Sequence, residues 1–147
     1  MKFLVINGPN LNLLGIREPG IYGTSGYDAL VERIHTAAHD MGVTVDCFQS
    51  NHEGAIIDTL HAAMGVYDGI IMNPGAYTHY SYAILDALKA IHIPTVEVHI
   101  SNIHQREEFR HKSVTAAGCD GQICGLGQYG YIAAMGYLVE KLRDHEN

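Results

Sequence analysis

The sequence predicts an α/β domain, a parallel sheet with helices on both faces, and three observations carry that prediction. Short apolar runs of strand length alternate along the chain with longer stretches of helical spacing. Gly, Pro and Asn, which stop strands and open turns, separate them. Two of the strand runs, Phe3–Ile6 and Gly69–Met72, have no polar side chain, as buried strands covered on both faces require.

The elements follow in order. Phe3-Leu4-Val5-Ile6, stopped by Asn7-Gly8-Pro9, reads as a buried first strand. Tyr27 to Met41 places Leu30, Ile34, Ala37, Ala38 and Met41 at helical spacing, and Gly42 suits the position just past the end. Val43-Thr44-Val45 leads a second strand to Gln49. A helix is expected from about Glu53 to Met64, with Ile56, Ile57, Leu60 and Ala63 on one face. Gly69 to Met72 is a third strand, ended by Asn73-Pro74-Gly75. Ser81 to Ala90 reads as helix through Ile84, Leu85 and Leu88, with Ser81 or Tyr80 near its start. Pro94 to Ile100 is a fourth strand whose Pro takes the permitted first position. Gly121 to Cys124 is a short fifth strand, and Gly130 to Leu142 a closing helix. About five strands alternating with helices make a doubly wound sheet of the flavodoxin-like kind, in a single domain over 1–147.

Totals narrow the partners. At 147 residues the chain suffices for one well-filled core and leaves little room for another. Hydrophobic residues make up 47% and charged residues 17%, a globular balance rather than a disordered one. A net charge of −7 argues against nucleic acid and against an anionic membrane surface. It also means that an anionic substrate needs several of the 9 Lys and Arg residues gathered in one place. Cys47, Cys119 and Cys124 are odd in number and form no CxxC pair, which fits reduced thiols in the cytoplasm. The N-terminal apolar run is too short for a signal h-region or a membrane span.

Doubly wound sheets bind ligands beyond the carboxyl ends of their strands. The loop after the first strand runs from Asn7 to Gly23, far beyond the ~2–6 residues of an ordinary βα connection. It carries Asn10, Arg17 and Tyr22 among glycines and prolines. A tyrosine serves as a base near neutral pH only if its pKa of about 10 falls by about 2–3 units, which takes roughly 3–4 kcal/mol of preference for the phenolate. An arginine a few ångströms away supplies shifts of that size. Asn73 at the third strand's end either holds a turn or binds a substrate hydroxyl; His79 is a donor or a cap, and Asp86 a polar partner or a solvated position. On the fourth strand Glu97 and His99 share a side, so the carboxylate can orient the imidazole. Ile100 and Ser101 follow, where backbone N–H groups can cup an anion. Arg106 and Arg110 stand at i, i+4 spacing, one face if that stretch is helical.

Other chemistries lack their motifs. There is no HExxH, and His35 and His39, at i, i+4, read as an exposed helix face rather than a metal site. Gly125 to Gly130 matches GxGxxG but comes too late for a first βα turn, and neither a Walker A lysine nor a GxSxG elbow is present. A non-catalytic flavin-binding module would need a first loop rich in Ser, Thr and Gly for phosphate; this one presents Asn10, Arg17 and Tyr22.

Four blocks, INGPNLNLLGIREPGIYG, QSNHEGAIID, NPGAYTH and EVHISNIHQREEFRHKSV, occur in order over essentially the whole chain. In them the sequence resembles the type II 3-dehydroquinate dehydratases, or type II dehydroquinases. The resemblance implies anti elimination of water from 3-dehydroquinate to give 3-dehydroshikimate, without metal or organic cofactor, in the shikimate route to aromatic amino acids or in quinate breakdown. It implies a flavodoxin-like fold and a homo-oligomer, a dodecamer built from trimers. By resemblance Tyr22 is the base, Arg17 stabilises its phenolate and the transition state, and Asn10 helps hold a water at the enolate oxygen. His99 is the acid, with Glu97 as its partner. Asn73, His79, Asp86 and Arg110 bind substrate hydroxyls, Ile100 and Ser101 take the carboxylate through their backbone, and Arg106 is a second cation. Where the family commonly reads THTSVAIRDAL, this chain has Tyr80, Tyr82 and Leu85 in place of smaller or charged residues.

Overall fold

The apolar runs form five strands, β1 (Lys2–Asn7), β2 (Thr44–Gln49), β3 (Gly69–Asn73), β4 (Thr95–His99) and β5 (Gly121–Cys124). They are seen in a computed structural model that describes residues 1–16 and 26–146. All neighbouring strands are parallel, in the order β2-β1-β3-β4-β5. Strand order therefore reverses between β1 and β3, and the crevice beyond their carboxyl ends is where such a sheet binds its ligand.

Four helices cover the sheet: α1 (Tyr27–Met41), α2 (Glu53–Ala62), α3 (Tyr82–Ile91) and α4 (Tyr129–Glu146). The pleat of β1 divides the core. Phe3 and Val5 point to one side, where Leu30, Ile34 and Ala38 of α1 meet Tyr131, Ala134, Met135 and Leu138 of α4. Leu4 and Ile6 point to the other, against Ile56 and Leu60 of α2 and Ile84, Ala87 and Leu88 of α3. Cutting one of these fully buried leucines to alanine removes contacts worth about 2–5 kcal/mol, so each helix is locked to its face.

Local chemistry sets the helix ends. Gly42 closes α1 in the left-handed region at φ 72°, its N–H bonded to the carbonyls of Ala38 and His39, which the spacing led one to expect. Ser81 caps α3, accepting from Ile84 N at 3.1 Å, and its hydroxyl reaches Glu53 at the start of α2 at 2.6 Å. α2 stops at Ala62, slightly short of Met64, and α4 extends beyond the expected 130–142 span at both ends.

The condition for Arg106 and Arg110 to share a face, a helical stretch, is not met. Arg106 and Arg110 do not lie on a common helix. Ile103–Gln105 and Glu108–Arg110 are separate 3-10 turns, with Arg106 and Glu107 extended between them. The Asn102 side chain caps His104 N, and Glu107 ion-pairs with Arg110, so local side-chain bonds replace a helical ladder.

Candidate active site

The base of the site is tight backbone packing where β1 and β3 end. A Cβ on Gly8 would lie 2.6 Å from the Pro74 carbonyl oxygen, so only glycine lets the two loops touch there. Gly8 N bonds Asn73 O at 2.7 Å across the contact. Asn10 then turns at φ 69°, a left-handed conformation that Asn tolerates better than most residues. Asn51 holds that turn: its Oδ1 accepts from Asn10 N at 3.0 Å and from Gln49 Nε2 at 3.1 Å.

Above this base lies one cleft. Among the residues singled out in the sequence, Asn10, Asn73, His79, His99, Ile100, Ser101, Arg106 and Arg110 line it together, joined by Pro9, Leu11, Gly75, Ala76 and Ile103. Asp86 does not line it and sits on an exposed face of α3. Arg17 and Tyr22 lie outside the described residues.

Glu97 is completely buried behind His99, whose Nε2 donates to its carboxylate at 3.0 Å. That leaves Nδ1 as the ring nitrogen not engaged by Glu97. The same carboxylate accepts from Thr78 Oγ1 at 3.1 Å, Ser113 Oγ at 2.8 Å and Gln122 Nε2 at 2.6 Å, and also from the Thr115 hydroxyl. Burial pushes the Glu97 carboxyl up, but the bonds from His99, Thr115 and Gln122 outweigh it and hold the group below its ordinary range.

The remaining polar side chains are fixed in different ways. Asn73 holds the turn, with Oδ1 accepting from Gly75 N at 3.1 Å, while it also faces the cleft. Its Nδ2 donates to the Tyr131 hydroxyl at 3.0 Å, and Tyr131 donates to Asn7 Oδ1 at 2.6 Å. His79 Nδ1 bonds the Lys112 carbonyl at 2.8 Å, which fixes the hydrogen on that nitrogen. The His79 ring packs edge-on against Phe109, and the Arg110 guanidinium lies 4.8 Å from the centre of the same ring. The bond from Arg110 holds the Glu107 carboxyl below its ordinary range.

Several of these residues left no signal in the sequence. Tyr131 looks like one more aromatic of a core helix. Ser113, Thr115 and Gln122 become partners of Glu97 only through the path of the 111–120 segment and the register that sets Gln122 opposite Glu97. Of the departures from the family pattern, Leu85 is half-buried against the turn at Gly118, whereas Tyr80 and Tyr82 are 58% and 62% exposed.

A family model described as dehydroquinase class II matches residues 1–139. The chain belongs to the type II dehydroquinase family. It is thus an enzyme, and the cleft is the place to look for its chemistry. Curated 3-dehydroquinate dehydratases from Bacillus cytotoxicus and Clostridium perfringens share 61% and 62% identity with it. The first alignment covers 96% of this chain and 97% of the relative, the second 97% and 100%. The crystal structure of the type II dehydroquinase from Butyrivibrio crossotus superposes with a TM-score of 0.93 at 58% identity, over 95% of this chain and 97% of that one. A 3-dehydroquinate dehydratase-like protein from Bifidobacterium longum is similar at a TM-score of 0.73 and 31% identity, over 97% of this chain and 98% of that one.

Among the described residues no three His, Cys, Asp or Glu side chains come together as metal ligands, and His35 and His39 are exposed on α1. No helix among them is long and apolar enough to cross a membrane.

Proposed function

We propose that the chain dehydrates 3-dehydroquinate to 3-dehydroshikimate by anti elimination of water through an enolate. The observation that carries this reading is the buried Glu97–His99 pair in the wall of a cleft that also gathers Arg106 and Arg110. A proton next to a ketone is acidic because the resulting carbanion delocalises onto oxygen. Hydroxide is a poor leaving group, so the departing oxygen needs a proton. The reaction therefore requires a base, an oxyanion stabiliser and an acid.

In this scheme Tyr22 takes the C2 proton, with Arg17 stabilising its phenolate and the transition state. Asn10 helps hold a water at the enolate oxygen. His99 delivers a proton to the C1 hydroxyl, with Glu97 as its counter-charge. The substrate carboxylate meets the backbone N–H groups of Ile100 and Ser101, near Arg106, while Asn73, His79 and Arg110 hold hydroxyls. No metal or organic cofactor enters the scheme. Asp86 is exposed outside its own chain's cleft, so we place its substrate contact in the cleft of a neighbouring copy, within a dodecamer of trimers. We place the enzyme in the cytoplasm, in aromatic amino acid biosynthesis or quinate breakdown.

The test mixes purified protein and chelator with 3-dehydroquinate and follows the ultraviolet rise of the conjugated enone. The rise is expected to survive chelator and borohydride and to collapse in Tyr22→Phe. A folded parent protein that produces no rise sinks the assignment, and loss on borohydride with substrate points to a lysine imine instead.

A further inference from the structure

The groups that donate to Glu97 are three hydroxyls, one amide and one imidazole. Hydrogen counting shows what this cage prefers. Gln122 Nε2 can only donate, and the Thr78 hydroxyl has a second acceptor in Ser113 Oγ at 2.6 Å. With Thr78 turned to Ser113, three of the remaining donors (His99, Ser113 and Gln122) converge on Oε2 and the Thr115 hydroxyl takes Oε1. A proton on Oε2 would have to displace one of the three donors there, and a proton on Oε1 would remove the charge that strengthens all four bonds. The cage thus selects the anion, and the imidazole is the one donor in it that can carry a counter-charge.

The titratable groups that face Glu97 are His99 on β4, Cys124 on β5 and Cys119 beside the Thr115–Gly118 turn. Burial and then the charge of Glu97 push the Cys124 thiol up to about 11, and the Cys119 thiol is pushed higher still. Both stay neutral near pH 7, so neither competes for the role of Glu97's ionic partner.

We propose that Thr115 and Gln122 are positioning residues for His99: they fix the Glu97 carboxylate against Nε2, which leaves Nδ1 as the end of the ring that delivers a proton to the cleft. This rests on the proton-donor role given to His99 above and adds the residues that hold it there. A proton can leave from Nδ1 while Nε2 stays bonded to Glu97 only if the ring carries both hydrogens, and the caged carboxylate is the counter-ion of that form. Neither Thr115 nor Gln122 lines the cleft, so both act on rate rather than on substrate affinity.

The test reads the carboxyl directly. In enzyme labelled with 13C at glutamate carboxyls, the Glu97 signal is assigned by its absence in Glu97→Gln and followed while pH is lowered. In Thr115→Val and in Gln122→Met its midpoint is expected to rise by about 1–2 on the pH scale, the effect of one lost bond to a charged group. The same variants should lose about 10–100-fold in kcat with KM within about twofold. Thr115→Ser keeps the hydroxyl and should stay near the parent in both measurements. Gln122 sits on the exposed edge strand, so Gln122→Met keeps the experiment decisive should Thr115→Val not fold. Folded variants with an unmoved midpoint overturn the inference, as does a moved midpoint with unchanged kcat, which would make the cage purely structural. A parent inactive on 3-dehydroquinate sinks the proposed function, whereas an active parent whose variants keep both midpoint and kcat sinks this inference alone.

Discussion

Asn7 and Asn73 stand opposite each other at the carboxyl ends of β1 and β3 and share one hydroxyl, that of Tyr131. The phenol is fully buried and its pKa is pushed up by that burial, so it remains a neutral link between the two amides. Asn73 has committed its oxygen to Gly75 and one amide hydrogen to Tyr131, which leaves the other hydrogen for the cleft. Tyr131→Phe removes the link and leaves Asn7 Oδ1 buried without its donor. It is expected to cost about 1–3 kcal/mol in urea unfolding and to raise KM several-fold with little change in kcat. Unchanged stability and KM would show that the amide of Asn73 is held by its turn alone.

Glu97 ties acid stability to the site. Its carboxyl is depressed in the folded chain, so the stability it contributes is present above its unfolded pKa of about 4.5 and lost as pH falls through the folded value. Glu97→Gln keeps the shape but removes the charge on which its donors converge. At pH 7 the variant should be less stable by about 2–4 kcal/mol, and the gap should narrow as the parent is acidified below about pH 4. Urea midpoints for both proteins at several pH values check this. A gap independent of pH would mean that the carboxylate's charge contributes nothing.

The fold was legible where the signal is local. The period of Leu30, Ile34 and Ala38 and the glycine behind it marked α1 and its end, because spacing and left-handed backbone are properties of a short stretch. The Glu97–His99 pair was legible for the same reason, since alternate residues of a strand share a side. Arg106 and Arg110 have helical spacing too, yet the Asn102 cap and the Glu107–Arg110 pair break that stretch into two turns. The cage around Glu97 was not legible at all. It gathers side chains 16 to 25 residues distant along the chain, and strand register and loop path decide which of them arrive. Arg17 and Tyr22 fall outside the described residues, so their pairing rests on the sequence.

The thiols should be poor nucleophiles. Burial pushes Cys47 and Cys124 up to about 11, with nearby Asp46 and Glu97 respectively adding to the effect, and Cys119 is pushed further in the same direction. At pH 8 an ordinary cysteine is about one quarter thiolate, whereas a group at about 11 is thiolate only about one part in a thousand. Reaction of the folded enzyme with a disulfide reagent at pH 8 should therefore be at least about 50-fold slower than in urea. A fast-reacting thiol in the folded enzyme would mean that one of the three is far more accessible than its half-buried position implies.

Asp86 gives the sharpest test of assembly, because it is exposed on α3 and absent from the lining of its own chain's cleft. If it serves a neighbouring copy, two defective variants can repair each other. His99→Ala destroys the acid of its own cleft but still offers Asp86 to a neighbour; Asp86→Ala does the reverse. Co-expressed and randomly mixed in one oligomer, the two should leave about a quarter of the clefts with both residues intact. Activity should then rise well above that of either variant purified alone, and only in fractions that sediment as an oligomer. A mixed preparation no more active than the mean of its components would return Asp86 to its own chain or remove it from the site altogether.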